Sequence, residues 1–244
     1  MNSIKKMMLS GALGCLISGM AYADGSSPQP VKPYWQDIQV VAVNKEKPRS
    51  SFMSYADRET ALTSRFEKSP YYSLLNGTWK FFFVDSYKDL PQNITDPSVN
   101  TSSWDDITVP GNWEVQGHGV AIYTNHGYEF KPKNPQPPLL PEANPVGVYR
   151  RDIEIPASWD NRDIYLHIGG AKSGLYVYLN GKEVGYSEDS KNPAEFLINK
   201  YLQPGKNVLT LKIFRWSTGS YLECQDFWRM SGIERDVFLW SQPK

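Results

Sequence analysis

The 244-residue sequence predicts an all-β protein, an antiparallel β-sandwich of jelly-roll type, and three observations carry that prediction. Short runs rich in β-branched and aromatic residues recur from Leu74 onward, punctuated by Gly, Pro and Asn. Asn180-Gly181 separates a run at 175–179 from another at 182–185, and this is the strongest hairpin signal because a type I′ turn needs positive φ at both central positions. Long helical periodicities are missing, and parallel strands would need them for their crossovers.

The strand candidates are 79–84, 107–109, 148–155, 163–168, 175–179, 208–216 and 236–240. Within 208–214, Leu209, Leu211 and Ile213 share one face while Thr210 and Lys212 take the other, so one face is buried. Two long connections interrupt the strands. The first, 111–145, contains Asn112-Trp113, Tyr123-Thr124-Asn125 and a proline-heavy stretch at 131–138 that cannot form an interior strand, since proline fixes φ and withholds a donor. The second, 217–233, crowds Glu223, Gln225, Asp226, Trp228 and Arg229 between two strands. Ordered loops of this length in a compact domain carry function.

The N-terminus has a different grammar. Lys5-Lys6, the apolar run 7–20 and Ala21-Tyr22-Ala23 form a secretory signal, with cleavage expected after Ala23 and an exported, periplasmic product. The apolar run is shorter than the ~20 residues of a membrane span. A lipoprotein box ending at Cys15 is the minor alternative. Residues 24–33 are Ser, Pro, Gln and Gly without periodicity, a flexible tether. Residues 34–70 form an arm wrapping the sandwich, with Asp57 capping a short helix through Arg65 and Glu59 and Glu67 on its solvated side. The sandwich itself is expected over 71–244.

Composition excludes several classes. The net charge is zero, so no basic face recommends nucleic acid and the partner is expected to be uncharged. Removing the signal takes Cys15 and leaves Cys224 alone, which rules out an internal disulfide. Aromatic residues at 14% permit stacking on the apolar faces of sugars, although most such rings serve as core. His118, His126 and His167 lack metal-ligand spacing, and neither a phosphate loop nor a Gly-x-Ser-x-Gly elbow occurs.

Glu223 and Asp226 are the best local carboxylate pair for glycosidic chemistry, which uses two such groups. Arg229 nearby would keep a carboxylate ionised, making Asp226 a hydroxyl acceptor or cation ligand. The bland alternative is an Asp226–Arg229 ion pair that pins the loop.

Several strings then become recognisable: 75–81 (LNGTWKF), 109–113 (VPGNW), 122–125 (IYTN), 144–150 (NPVGVYR), 184–190 (VGYSEDS) and 215–233, which includes Asp226-Phe227-Trp228-Arg229-Met230-Ser231-Gly232. In this order the chain resembles the first, galactose-binding-like domain of β-galactosidases of glycoside hydrolase family 2, of the large bacterial type. The resemblance implies a jelly roll that is followed by an immunoglobulin-like domain and a (β/α)8 barrel carrying the catalytic glutamates and a magnesium ion. The barrel needs ~250 residues, so the sequence contains no counterpart of those glutamates and the chain alone is expected to be inactive. The resemblance also implies that Asp226 helps bind sodium and galactose hydroxyls once the barrel supplies the other ligands, and that Asn125 binds substrate beside it. Thr218 stands where the family pattern has an acid, which puts any metal site needing that acid in doubt. The expected function is one wall of a β-galactoside pocket; the alternatives are a free-standing carbohydrate module and an inactive truncated remnant.

Overall fold

The computed structural model describes residues 32–130 and 134–244, so the expected signal, residues 24–31 of the tether and 131–133 lie outside the described residues. Sixteen strands occur among the described residues. In the first half they are β1 (Ala42–Val43), β2 (Tyr72–Leu74), β3 (Gly77–Val84), β4 (Asp105–Val109), β5 (Gly111–Asn112), β6 (Ile122–Thr124), β7 (Val146–Glu154) and β8 (Arg162–Ile168). In the second half they are β9 (Ala171–Lys172), β10 (Gly174–Leu179), β11 (Lys182–Ser187), β12 (Ala194–Leu197), β13 (Lys206–Phe214), β14 (Phe227–Arg229), β15 (Gly232–Ile233) and β16 (Val237–Pro243). Every pairing is antiparallel.

The seven strands expected from the sequence are all present, with ends shifted by one or two residues in most cases. With four further strands they make up a seven-stranded sheet in the order β1-β11-β10-β13-β7-β3-β4 and a four-stranded sheet in the order β12-β8-β16-β2. The hairpin forms at Asn180-Gly181, with φ of 53° and 76° and Leu179 opposite Lys182. Both φ values are the left-handed ones a type I′ turn requires.

Leu209, Leu211 and Ile213 from one sheet pack with Leu166, Ile168, Val237 and Leu239 from the other, forming the core between the layers. The opposite face of the large sheet is not solvated as simple alternation suggests. Thr210 is 1% exposed, and the Lys212 ammonium lies over the rings of Tyr176, Tyr178 and Phe214. A second aromatic layer, built around Trp35, Trp104, Tyr176, Tyr186 and Phe214, covers that face. A third cluster, Met53, Phe238 and Trp240, lies on the outer face of the small sheet. Trp35 and Met53 both come from the segment before the sandwich, so residues of that segment contribute to the outer layers of both sheets.

The helix in that segment is shorter than expected. Asp57 does cap it, accepting the Thr60 amide at 2.8 Å, but α1 covers only Arg58–Leu62. Ser64 takes φ of 55° and Leu62 is 74% exposed, so the backbone breaks the helix where no apolar face is there to extend it. Glu67 then falls in a separate 3-10 turn.

Candidate functional site

The two long connections meet in a small ribbon. β14 pairs antiparallel with β6, setting Phe227 against Thr124, Trp228 against Tyr123 and Arg229 against Ile122. Asn125 follows the end of β6 and Asp226 precedes the start of β14, each in a bend. Side chains on a ribbon alternate between faces with period two, and cross-strand partners share a face. Tyr123 and Trp228 therefore lie together on one face, and they and the flanking Asn125 and Asp226 are all exposed. Ile122, Thr124, Phe227 and Arg229 occupy the other face, where exposure is lower and Arg229 is fully buried.

On the outer face, the Tyr123 hydroxyl donates to Asp226 Oδ1 at 2.7 Å. That hydrogen bond and the negative charge of Asp226 hold the phenol above its ordinary pKa, so it stays a donor. The rings of Tyr123 and Trp228 sit 5.6 Å apart and are each 55% exposed. Asn125 Oδ1 lies 2.6 Å from His126 Nδ1. The ribbon thus presents an oriented carboxylate, an amide and an aromatic platform to solvent, the combination that recognises hydroxyls and the C–H face of a sugar.

The inner face rests on a buried polar cluster. Glu129 accepts Trp216 Nε1 at 2.7 Å and lies 3.4 Å from Arg229 Nε and 3.7 Å from Arg215 Nε. Arg215 also stands 3.6 Å from Glu114, and Glu114 accepts the Ser231 amide at 2.8 Å. Burial raises the pKa of Glu114 against the pull of that amide and of Arg215. Arg229 faces Phe227 at 4.7 Å and donates to the Thr124 carbonyl at 3.4 Å, tying the two strands of the ribbon to the sandwich.

Two sequence expectations need correction. The Asp226–Arg229 ion pair does not form, because Arg229 is buried against Glu129 while the exposed Asp226 accepts from the Tyr123 hydroxyl. Glu223 and Asp226 do not act as a carboxylate pair either. Glu223 turns inward and accepts from the amide and hydroxyl of Ser190 at 2.8 and 2.6 Å, with burial raising its pKa, while Asp226 takes the Tyr123 hydroxyl. Thr218 is buried, and its hydroxyl is spent on Glu188 at 2.8 Å. The platform ring of Tyr123 and the supporting Glu129 are not singled out by sequence reasoning. The signal for Tyr123 is the alternation in 122–125, which becomes informative once its partner strand is known.

Comparison with known proteins places the chain in a family. Residues 72–243 match the family model described as glycosyl hydrolases family 2, sugar binding domain. The chain is 40% identical over 215 residues to a β-galactosidase of Priestia megaterium, covering 87% of this chain and 21% of that protein. It is 41% identical over 206 residues to a β-galactosidase of Actinobacillus pleuropneumoniae, covering 84% of this chain and 20% of that protein. It therefore spans about a fifth of the length of the curated relatives it matches. Among solved structures, a Bacteroides uniformis β-glucuronidase superposes with a TM-score of 0.53 at 25% identity, over 70% of this chain and 18% of that one. With the family model matching most of its length, the chain belongs to the glycosyl hydrolases of family 2, within their sugar binding domain.

Proposed function

We propose that this chain is the sugar-binding first domain of an exported β-galactosidase, and that the outer face of the β6–β14 ribbon forms one wall of the galactoside pocket. The observation that carries the reading is the convergence of the exposed Asp226, Tyr123 and Trp228 at the ribbon, with exposed Asn125 just beyond the end of β6. The β-galactosidase relatives, at about 40% identity, favour galactosides over the glucuronides named for the structural neighbours. The rest of the pocket is assigned to the immunoglobulin-like and barrel domains that the resemblance implies, with magnesium held in the barrel. Export is supported by Lys5-Lys6, the apolar run after it and Ala21-Tyr22-Ala23.

Asp226 fits the role of a sodium ligand, since carboxylate oxygens suit hard cations. Among the described residues no three His, Cys, Asp or Glu side chains converge on a metal position, so Asp226 supplies one ligand of a site completed from elsewhere. The ion, when bound, offers a positive charge to sugar hydroxyls; Asp226 itself accepts a hydrogen bond from a hydroxyl and the amide of Asn125 orients a neighbouring one. Alone, this wall leaves a sugar mostly solvated. Each hydroxyl contact nets only ~0.5–1.5 kcal/mol, against ~4 kcal/mol or more of lost freedom, so the domain by itself binds galactose at millimolar strength or weaker.

The test is to express the protein from its complete gene and assay chromogenic β-galactoside and β-glucuronide side by side, with and without sodium. Hydrolysis of the galactoside that Asp226→Ala strongly reduces is the expected result. Preference for the glucuronide, or indifference to Asp226→Ala, would refute the assignment.

A further inference from the structure

The outer face of the small sheet carries a second cleft that shares no lining residue with the ribbon. It encloses about 390 Å³ between the segment 46–52 and strands β8, β12 and β16. Through Phe66, His167, Pro193 and Phe238 it runs on into a neighbouring depression of about 550 Å³. These sizes fall in the range of small-molecule sites.

Its walls are aromatic. The His167 ring stacks on Phe238 at 4.1 Å and 14°, and Phe52 stands edge-on to Trp240 at 6.1 Å while remaining 51% exposed. Its polar groups are held in place beforehand. Glu195 accepts from His167 Nδ1 at 2.8 Å, from Trp240 Nε1 at 3.0 Å and from both Nε and Nη2 of Arg49 at 3.0 and 2.9 Å. Burial alone would raise the Glu195 pKa, but the His167 hydrogen bond and the Arg49 charge outweigh it and keep the carboxylate ionised. On the opposite side, Asn192 Nδ2 donates to both carboxylate oxygens of Asp189 at 3.1 and 3.0 Å.

The charge pattern narrows the ligand. Glu46, Asp189 and Glu195 line the cleft together with Lys47 and Arg49, so neither a strong anion nor a strong cation is favoured. A hydroxyl both donates and accepts, and a ring of hydroxyls matches carboxylates and cations placed side by side. A peptide adding to the sheet edge is disfavoured, because the edge strand β12 already receives the Glu46 amide at the Glu195 carbonyl, 2.8 Å away.

We infer that this cleft is a second carbohydrate site, taking an uncharged pyranose whose apolar face lies on Phe52 and Phe66 and whose hydroxyls reach Arg49, Asp189 and Asn192. It does not rest on the ribbon's assignment. The experiment is a two-dimensional amide NMR titration of the purified chain with galactose, glucose and lactose. Saturable shifts at Phe52, Phe66 and Asn192 with a millimolar constant are expected. Phe52→Ala, a change at an exposed ring, should weaken that binding roughly tenfold, as should Asn192→Ala, while Asp226→Ala leaves it unchanged. Shifts confined to the ribbon overturn the proposal. So do shifts that never saturate with any of the three sugars, and so do shifts at these residues that follow protein concentration without sugar, since those mark a second copy of the chain in the cleft. Loss of galactosidase activity in Asp226→Ala bears on the ribbon alone and leaves this site untouched.

Discussion

Replacing Glu129 by alanine should cost about 3 kcal/mol of stability and loosen the ribbon more than the rest of the sandwich. The magnitude comes from counting what each neighbour loses. Arg215 keeps a second carboxylate, Glu114 at 3.6 Å, so its charge is still partnered. Trp216 loses the acceptor of its indole N–H, a buried donor worth about 1–3 kcal/mol when left unsatisfied. Arg229 suffers most. Glu129 is the carboxylate within ion-pair distance of it, and what remains is the Thr124 carbonyl at 3.4 Å and the Phe227 ring. Breaking a buried pair by removing one partner costs about 3–5 kcal/mol. The low end applies because neither guanidinium forms a well-aligned hydrogen bond to Glu129: Arg215 Nε and Arg229 Nε both lack a hydrogen-bond partner despite their nearness.

Urea unfolding followed by tryptophan fluorescence measures the loss, which at an ordinary denaturant dependence lowers the midpoint by roughly 1 M or more. Hydrogen exchange then locates it, with protection across 122–124 and 227–229 falling before that of β10 and β13. A companion variant, Glu129→Leu with Arg229→Met, removes both charges together and should recover most of the stability. A loss below about 1 kcal/mol for Glu129→Ala, or a double variant weaker than the single one, would show that the cluster does not support the ribbon electrostatically.

Gly147→Ala should destabilise by about 1–3 kcal/mol, since its Cβ would lie 2.6 Å from the Trp113 ring and 2.7 Å from that of Phe81; an unchanged unfolding midpoint refutes this. Glu195 has a folded pKa below its ordinary 4.5, so its stabilisation is complete above that value and disappears as pH falls through the lower, folded one. Thermal midpoints of Glu195→Gln and the parent protein should converge below about pH 4.5, and a constant gap into acid would contradict the assignment. Tyr123→Phe should leave unfolding free energy within about 0.5 kcal/mol because both partners are exposed, yet lower kcat/KM of the complete enzyme several-fold by freeing Asp226. Equal kcat/KM would show that Asp226 needs no positioning.

The strands that carry the inter-sheet core were legible because their apolar positions alternate locally, as in Leu209, Leu211 and Ile213. The polar positions between them were less so. Lys212 looks like a solvated residue by alternation, and only the distant Tyr176 and Tyr178 rings, brought beside it by the β10–β13 pairing, show that it is covered. Trp35 and Met53 were similarly opaque, since an isolated aromatic or methionine in a segment without periodicity gives no sign of which sheet face it will cover.

The site shows the same limit from the other side. Asp226 and Asn125 were proposed through resemblance, but what orients Asp226 is not written in either loop. Tyr123 and Asp226 are 103 residues apart, and each loop taken alone offers one polar residue beside one exposed ring. Pairing Phe227 with Thr124 decides the faces at once: a shift of one residue would turn Trp228 inward, away from the Tyr123 ring, and put Arg229 into solvent. What prevents that slip is Arg229, whose charge is matched by Glu129 on the buried side and would gain nothing by leaving it. The residue that reads as Asp226's partner in the sequence is therefore the buried anchor of the strand beside which Asp226 meets Tyr123.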